Sequence, residues 1–309
     1  MRIAYNTWSM ATVPYGTFIP GLADIGYSAI AISVVPGYTI GGKWVPNACA
    51  LDSLSSSDRQ AIKAGLAERE MHLASVVGNQ SLSSTDDNEH TLAMQRLCRA
   101  VDLAVELAAD DVPTMNTGVG SGKVPDEVLL ERLRTLAEYA GARGVTVCLE
   151  PHVGTMIDTP ERAAWVIHAV NDAALRLDFD ISHFEVVGIP TAESVSRLAP
   201  LAGAVEIKDQ RFRYADEPGG EWLVGGNGSG RATAPDGRPV AFQFLLGGEG
   251  EFDLPSYLQL MRDAGWQKPI AFEASVQCQA RPDYDPLAVA ASVYRWMCAG
   301  WQRAGVPTA

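Results

Sequence analysis

Residues 144–154 read GVTVCLEPHVG, an apolar run that ends in a carboxylate and an imidazole separated only by Pro151. In an extended chain Thr146, Cys148 and Glu150 share one face, and Val147 and Leu149 share the other. A strand with apolar residues on one face and small or polar residues on the other suits a closed barrel. The apolar face meets helices and the polar face meets an axis. Two further runs repeat the pattern: Glu206 and Lys208 oppose Val205 and Ile207, and Ala271 and Glu273 oppose Ile270 and Phe272.

Eight such runs are predicted as strands: 3–7, 29–34, 73–77, 111–115, 145–150, 175–180, 204–208 and 270–273. The fourth is the least regular, because Pro113 cannot donate to a ladder. Helical periods lie between them. SDRQAIKAGLAERE opens on a serine cap, NEHTLAMQRLCRAVDLAVELAAD puts Leu97, Val101, Ala104 and Ala108 on one face, PDEVLLERLRTLAEYAGARG stops by Gly144, and TPERAAWVIHAV has Thr159 as cap with Pro160 in the first turn. Alternating strands and helices predict α/β architecture, and eight units predict a single-domain (β/α)8 TIM barrel. No second-domain linker interrupts it. Residues 211–250, rich in Gly and Pro, read as a long loop after strand seven. Trp222 and Phe242 are placed there to cover a flat group or seat a small partner subunit.

The totals narrow the function. A net charge of −13 with scattered basic residues argues against nucleic acid and anionic membrane as partners. No run reaches the ~18–20 apolar residues of a membrane span, and the first residues, MRIAYNTWSMA, carry no secretion signal. Five dispersed cysteines form neither a zinc motif nor a disulfide framework, so a reduced, cytoplasmic protein is expected.

Four strands end in inward acids: Glu150, Asp180, Glu206 and Glu273. Gathered at the C-terminal mouth of one barrel they repel one another without a cation, and oxygen ligands favour Mg²⁺ or Mn²⁺. Glu206 has the alternative of a structural pairing with Lys208, and Arg176 with Asp178 reads as a structural ion pair deeper in the sixth strand. His152 and His183 follow Glu150 and Asp180 closely. Each reads either as a substrate or proton-transfer group or as an ordinary loop histidine. His72, His90 and His168 are left as ordinary. No Gly-rich helix entry marks a phosphate site, which favours an unphosphorylated substrate.

Seven segments in order make the chain resemble the xylose isomerase-like TIM barrels of the sugar phosphate isomerase/epimerase group: DIGYSAIAIS, LAEREMHLASVVG, CLEPHVG, DISH, EIKD, GGEGEFD and FEAS. The resemblance implies a metal held by Glu150, Asp180, Glu206 and Glu273. It implies Glu150 and Glu273 as an acid/base pair, with His183 holding substrate oxygen. Beside these, His152 is expected in catalysis, and Lys208 and Arg211 are expected to bind substrate. The expected activity is metal-dependent isomerisation or epimerisation of a sugar or keto-polyol by proton abstraction next to a carbonyl. The alternatives are a lyase acting on a keto-inositol or a 3-oxo-glycoside, including C-glycosides, and a non-catalytic sugar-binding barrel; a phosphodiesterase role ranks last. A homo-oligomer is expected. The chain departs from the family at Glu206, where His is usual, and at Ala31, where Glu is frequent.

Overall fold

Period-two alternation decides which way each strand faces, and the computed structural model, which describes residues 1–109, 112–217 and 229–308, shows its outcome. The barrel strands are Ile3–Asn6, Ala29–Ser33, His72–Val77, Thr114–Thr117, Thr146–Leu149, Leu175–Asp180, Ala202–Ile207 and Ile270–Phe272. Each pairs in parallel with the next, and the eighth closes on the first. The chain is therefore a (β/α)8 barrel. Only the fourth strand departs clearly from its predicted position. It starts after Pro113, whose carbonyl accepts from Thr146 N at 2.9 Å. The ring has no N–H to give a ladder, and Asp111 lies outside the described residues.

Helix ends follow local chemistry. Thr159 caps Pro160–Val170 by accepting from Arg162 N. The helix Ser56–Glu68 is capped two residues before the quoted serine, because Ser55 and Asp58 form a reciprocal capping box. Helices Asp87–Leu107 and Asp126–Gly141 bury Leu97, Val101, Ala104, Leu129 and Leu133 against the barrel's outer face.

Inside, Ala4 lies in register with Ala29 and Ala271, and these pack with Ala74 near the N-terminal end. Small side chains leave a cavity of about 350 Å³ there, reaching up to Asn116 and Glu206. Outside, Ile3, Tyr5, Val147, Leu149, Val205, Ile207, Ile270 and Phe272 join the continuous apolar core under the helices. The predicted two-faced strands are what positions the polar residues.

The described part of residues 211–250 is largely strand and not the predicted long loop. Asp209–Tyr214, Pro239–Leu245 and Ser229–Thr233 make a three-stranded antiparallel sheet with Pro239–Leu245 in the middle. Val240, Phe242 and Phe244 alternate along that central strand and are buried. The Gly- and Pro-rich average of the stretch hid this local period. Trp222 lies outside the described residues. A second hairpin, Gly37–Ile40 with Lys43–Pro46, turns through Gly41 and Gly42, both at positive φ. It raises Trp44, 62% exposed, beside the barrel mouth.

Candidate active site

Every acid expected at the mouth is there and buried: Glu150, Asp180, Glu206 and Glu273 are each 9% exposed or less. Asp180 ends the sixth strand, and its Oδ1 accepts from Ser182 N at 2.9 Å, opening the short helix Ser182–Glu185 that carries His183. Glu150 and Glu273 each stand one residue past a strand. Lys208 stands one past the seventh.

Lys208 Nζ occupies the centre of this group. It binds Asp180 Oδ2, lies 3.2 Å from Glu273 Oε1 and 3.7 Å from Glu150 Oε1, and is 3.4 Å from His183 Nε2. His183 Nε2 is also 3.3 Å from Glu150 Oε1 and 3.6 Å from Asp180 Oδ2. Donor atoms of Glu150, Asp180 and His183 lie within 4.8 Å of one another, close enough for one ion. Sequence pairing of Lys208 with Glu206 is replaced by this wider cage.

Glu206 sits one layer lower. The seventh and eighth strands register Glu206 with Ala271, which leaves Glu273 two residues higher. Asn6 Nδ2 donates to both Glu206 oxygens, at 2.9 and 3.0 Å, and reaches Glu273 Oε2 at 3.3 Å. Trp8 N donates to Asn6 Oδ1 at 2.8 Å, which turns the amide's N–H groups toward the acids. Asp178 accepts from Asn116 Nδ2 at 2.7 Å, while Arg176 donates to the carbonyl of Pro200. The predicted Arg176–Asp178 pair is thus replaced: Arg176 lies too near the strand's start and turns to the rim.

Electrostatics divide the acids. Burial pulls the Glu150 carboxyl upward, but the His183 bond and the Lys208 charge outweigh it and hold it below its ordinary range. Burial, against the opposing Lys208 charge, pushes Glu273 up to about 7. Burial and the neighbouring Asp178 and Glu273 raise Glu206 well above a normal carboxyl. Burial, then His183, lowers His152 to about 4, so that ring is neutral. Its Nδ1 meets the Val153 carbonyl at 2.8 Å, and the ring lies 3.8 Å from that of His183.

Above the cage opens a cavity of about 770 Å³ walled by Trp8, Trp44, Gln80, His152, Phe242 and Phe244, with Glu150, His183, Lys208 and Glu273 at its base. Phe244 meets the His183 ring edge-on at 5.3 Å. Arg211 is bound through Nε and Nη2 to Gln243 Oε1 on the antiparallel sheet, at 3.0 and 2.7 Å. Sequence reasoning had passed over Asn6. Its signal was a fifth polar strand ending, IAYN, that carries an amide in place of an acid.

Known proteins share this architecture. A Xenopus laevis protein named "Putative hydroxypyruvate isomerase" is 28% identical over 166 residues, 49% of this chain and 56% of its own. A Homo sapiens protein of the same name is 24% identical over 212 residues, 66% and 62%. The chain therefore matches little more than half the length of these relatives. Among solved structures, an L-ribulose 3-epimerase superposes with TM-score 0.70 at 15% identity, covering 98% of this chain and 95% of that one. A Mycobacterium smegmatis xylose isomerase-like TIM barrel in complex with magnesium superposes at 0.64 with 20% identity, covering 98% and 97%. A 3-keto-D-glucoside 4-epimerase from E. coli gives 0.68 at 14% identity, covering 97% and 99%. The family model for the xylose isomerase-like TIM barrel matches residues 20–299, and the chain belongs to that family.

Proposed function

We propose that the protein is a divalent-metal-dependent isomerase or epimerase of a small sugar or keto-polyol, acting by proton transfer at the carbon next to a carbonyl. The observation that carries this reading is the pair Glu150 and Glu273. Both lie close to Lys208 Nζ, at 3.7 and 3.2 Å, one held below its ordinary range and the other pushed up to about 7. Paired carboxyls with separated proton affinities are the requirement for an acid and a base acting on one carbon.

The residues present fit a hard cation. Carboxylate oxygens of Glu150, Asp180 and Glu273 and the His183 imidazole all converge on the Lys208 ammonium. Those four would hold Mn²⁺ or Mg²⁺, with Glu206 beneath them. The ion, when bound, supplies Lewis-acid polarisation of the substrate carbonyl and its neighbouring hydroxyl. Glu150 takes the proton from the substrate carbon, and Glu273 delivers one from the other side. Neutral His152, its Nδ1 turned to Val153, offers Nε2 to a substrate hydroxyl. Trp8 and Phe244 keep bulk water from the reacting carbon.

The test is solvent exchange. Metal-loaded protein in D₂O is incubated with hydroxypyruvate, ketohexoses and keto-inositols, and deuterium at the carbon next to the carbonyl is read by NMR. Incorporation that Glu273→Gln abolishes supports the reading, and no incorporation into any of them rejects it.

A second reading has its own observation. The 770 Å³ cavity is of the size that encloses a drug-sized ligand and has aromatic walls in Trp8, Trp44 and Phe242. That favours an oxidised glycoside with an aromatic aglycone, from which the same proton abstraction expels a leaving group. Release of the aglycone from a 3-oxo-glycoside, without turnover of free ketoses, selects it.

A further inference from the structure

Lys208 is the feature that the proposed metal chemistry leaves unexplained. The residue is 3% exposed, and its Nζ stands where a metal bound by Glu150, Asp180, Glu273 and His183 would stand. A divalent ion draws its donors in to roughly 2.0–2.2 Å. An ammonium donates hydrogen bonds over about 2.7–3.2 Å and repels a second cation at contact distance. Both cannot be held by the same oxygens at once.

Resting on the metal reading above, we propose that Lys208 is a displaceable internal counter-ion. It fills the cation seat of the metal-free protein and swings into the substrate cavity when the metal enters. Three observations support the exchange. First, Lys208 lies one residue beyond its strand, so side-chain rotation moves Nζ without disturbing the ladder. Second, the seat opens directly onto the cavity, whose base Lys208 itself lines. Third, the Phe244 ring lies 5.7 Å from Nζ on that side, an aromatic face on which a displaced ammonium can rest.

The consequences follow from charge. Without metal, Lys208 keeps Glu150, Asp180 and Glu273 from repelling one another and preserves the shape of the cage. With metal, the displaced ammonium faces the substrate cavity and attracts an anionic or oxyanion group there. Metal uptake is opposed by the same ammonium, so affinity is lower than the ligands alone would give.

Two measurements test this on the full chain. Chelated protein is titrated with MnCl₂ by calorimetry, wild type against Lys208→Met. Separately, wild type with and without Mn²⁺ is acetylated at fixed pH, and each lysine is read by peptide mass spectrometry. Lys43, Lys63 and Lys123 are exposed and serve as references. The expected results are roughly tenfold or greater tightening in the variant and Lys208 labelling that appears only with Mn²⁺. Mn²⁺ bound equally by both proteins, or Lys208 protected with metal bound, overturns the exchange while leaving the metal reading intact. No Mn²⁺ binding by either protein overturns both. If Lys208→Met does not fold, the labelling comparison decides alone.

Discussion

Glu206→Gln separates a ligand from a floor. Burial and the nearby Asp178 and Glu273 raise the proton affinity of Glu206 well above normal, which favours its protonated form. Glutamine copies the size and neutrality of that protonated acid, so the substitution changes the hydrogen bonding and leaves the charge alone. One of the two Asn6 bonds, at 2.9 and 3.0 Å, is retained by the amide oxygen. Losing the other costs about 1 kcal/mol. Asn116, whose Nδ2 lies 3.5 Å from Glu206 Oε1, and Asp178, which accepts from that Nδ2, each keep a buried oxygen without a hydrogen-bond partner. A bond to either returns about the same amount. Net stability should therefore change by less than about 1 kcal/mol, a melting shift of no more than ~4 °C.

Metal affinity carries the discriminating number. As a group behind the ligands, Glu206 should cost less than about tenfold in Mn²⁺ affinity when made Gln, at the mild end of outer-group effects. Asp180→Asn, which removes a cage oxygen, should cost more than about 100-fold. Calorimetric titration of both variants, with melting curves to confirm folding, gives the answer. A Glu206→Gln protein that folds normally yet loses Mn²⁺ as completely as Asp180→Asn would falsify the layered arrangement. Glu206 would then be an ionised ligand, as the family resemblance implies.

Glu273→Gln should lower turnover by roughly 10²–10⁴-fold, the range for a proton-transfer group. Asp209→Ala should destabilise by at least about 3 kcal/mol, read as a fall in melting temperature. Its carboxylate accepts backbone N–H groups of Gly248, Gly250, Phe252 and Gln210 at 2.8, 2.8, 3.2 and 2.9 Å. Thiol titration should count two fast cysteines in the native protein and five in denaturant. Cys49, Cys148 and Cys278 are buried, with burial pushing the Cys49 thiol up to about 12, whereas Cys98 and Cys298 are partly open. Four fast thiols would contradict the packing.

The barrel was legible because its strands are two-faced. Val147 and Leu149 against Cys148 and Glu150, or Ile270 and Phe272 against Ala271 and Glu273, state both the strand and its inward side within a few residues. The antiparallel sheet after strand seven was not. Its central strand, PVAFQFL, lies among glycines, prolines and charges that read as a loop when averaged over the whole stretch. Its partners are also distant: Phe212 pairs with Phe242 across thirty positions, and no local pattern announces that register.

The site shows the same limit in sharper form. Alternation says that Glu206, Lys208, Ala271 and Glu273 point inward, but not at what height. Height comes from stagger between neighbouring strands, which is a property of the closed barrel. Ala271 pairs with Glu206, so Glu273 rises two residues above it, about 6–7 Å along the strand. The sixth and seventh strands slip between Leu177 and Asp178, which pairs Asp180 with Glu206, and Asp180 Oδ2 binds Lys208 Nζ. Four equivalent-looking acids are thereby sorted into three around the cation seat and one beneath it with Asn6. The lysine that reads as a partner for Glu206 is carried to the level of Glu273, where three carboxylates meet it. A one-residue change in that register would turn both Glu206 and Lys208 to the opposite face, so the register of strands six to eight, more than the acids themselves, decides which cation the mouth can hold.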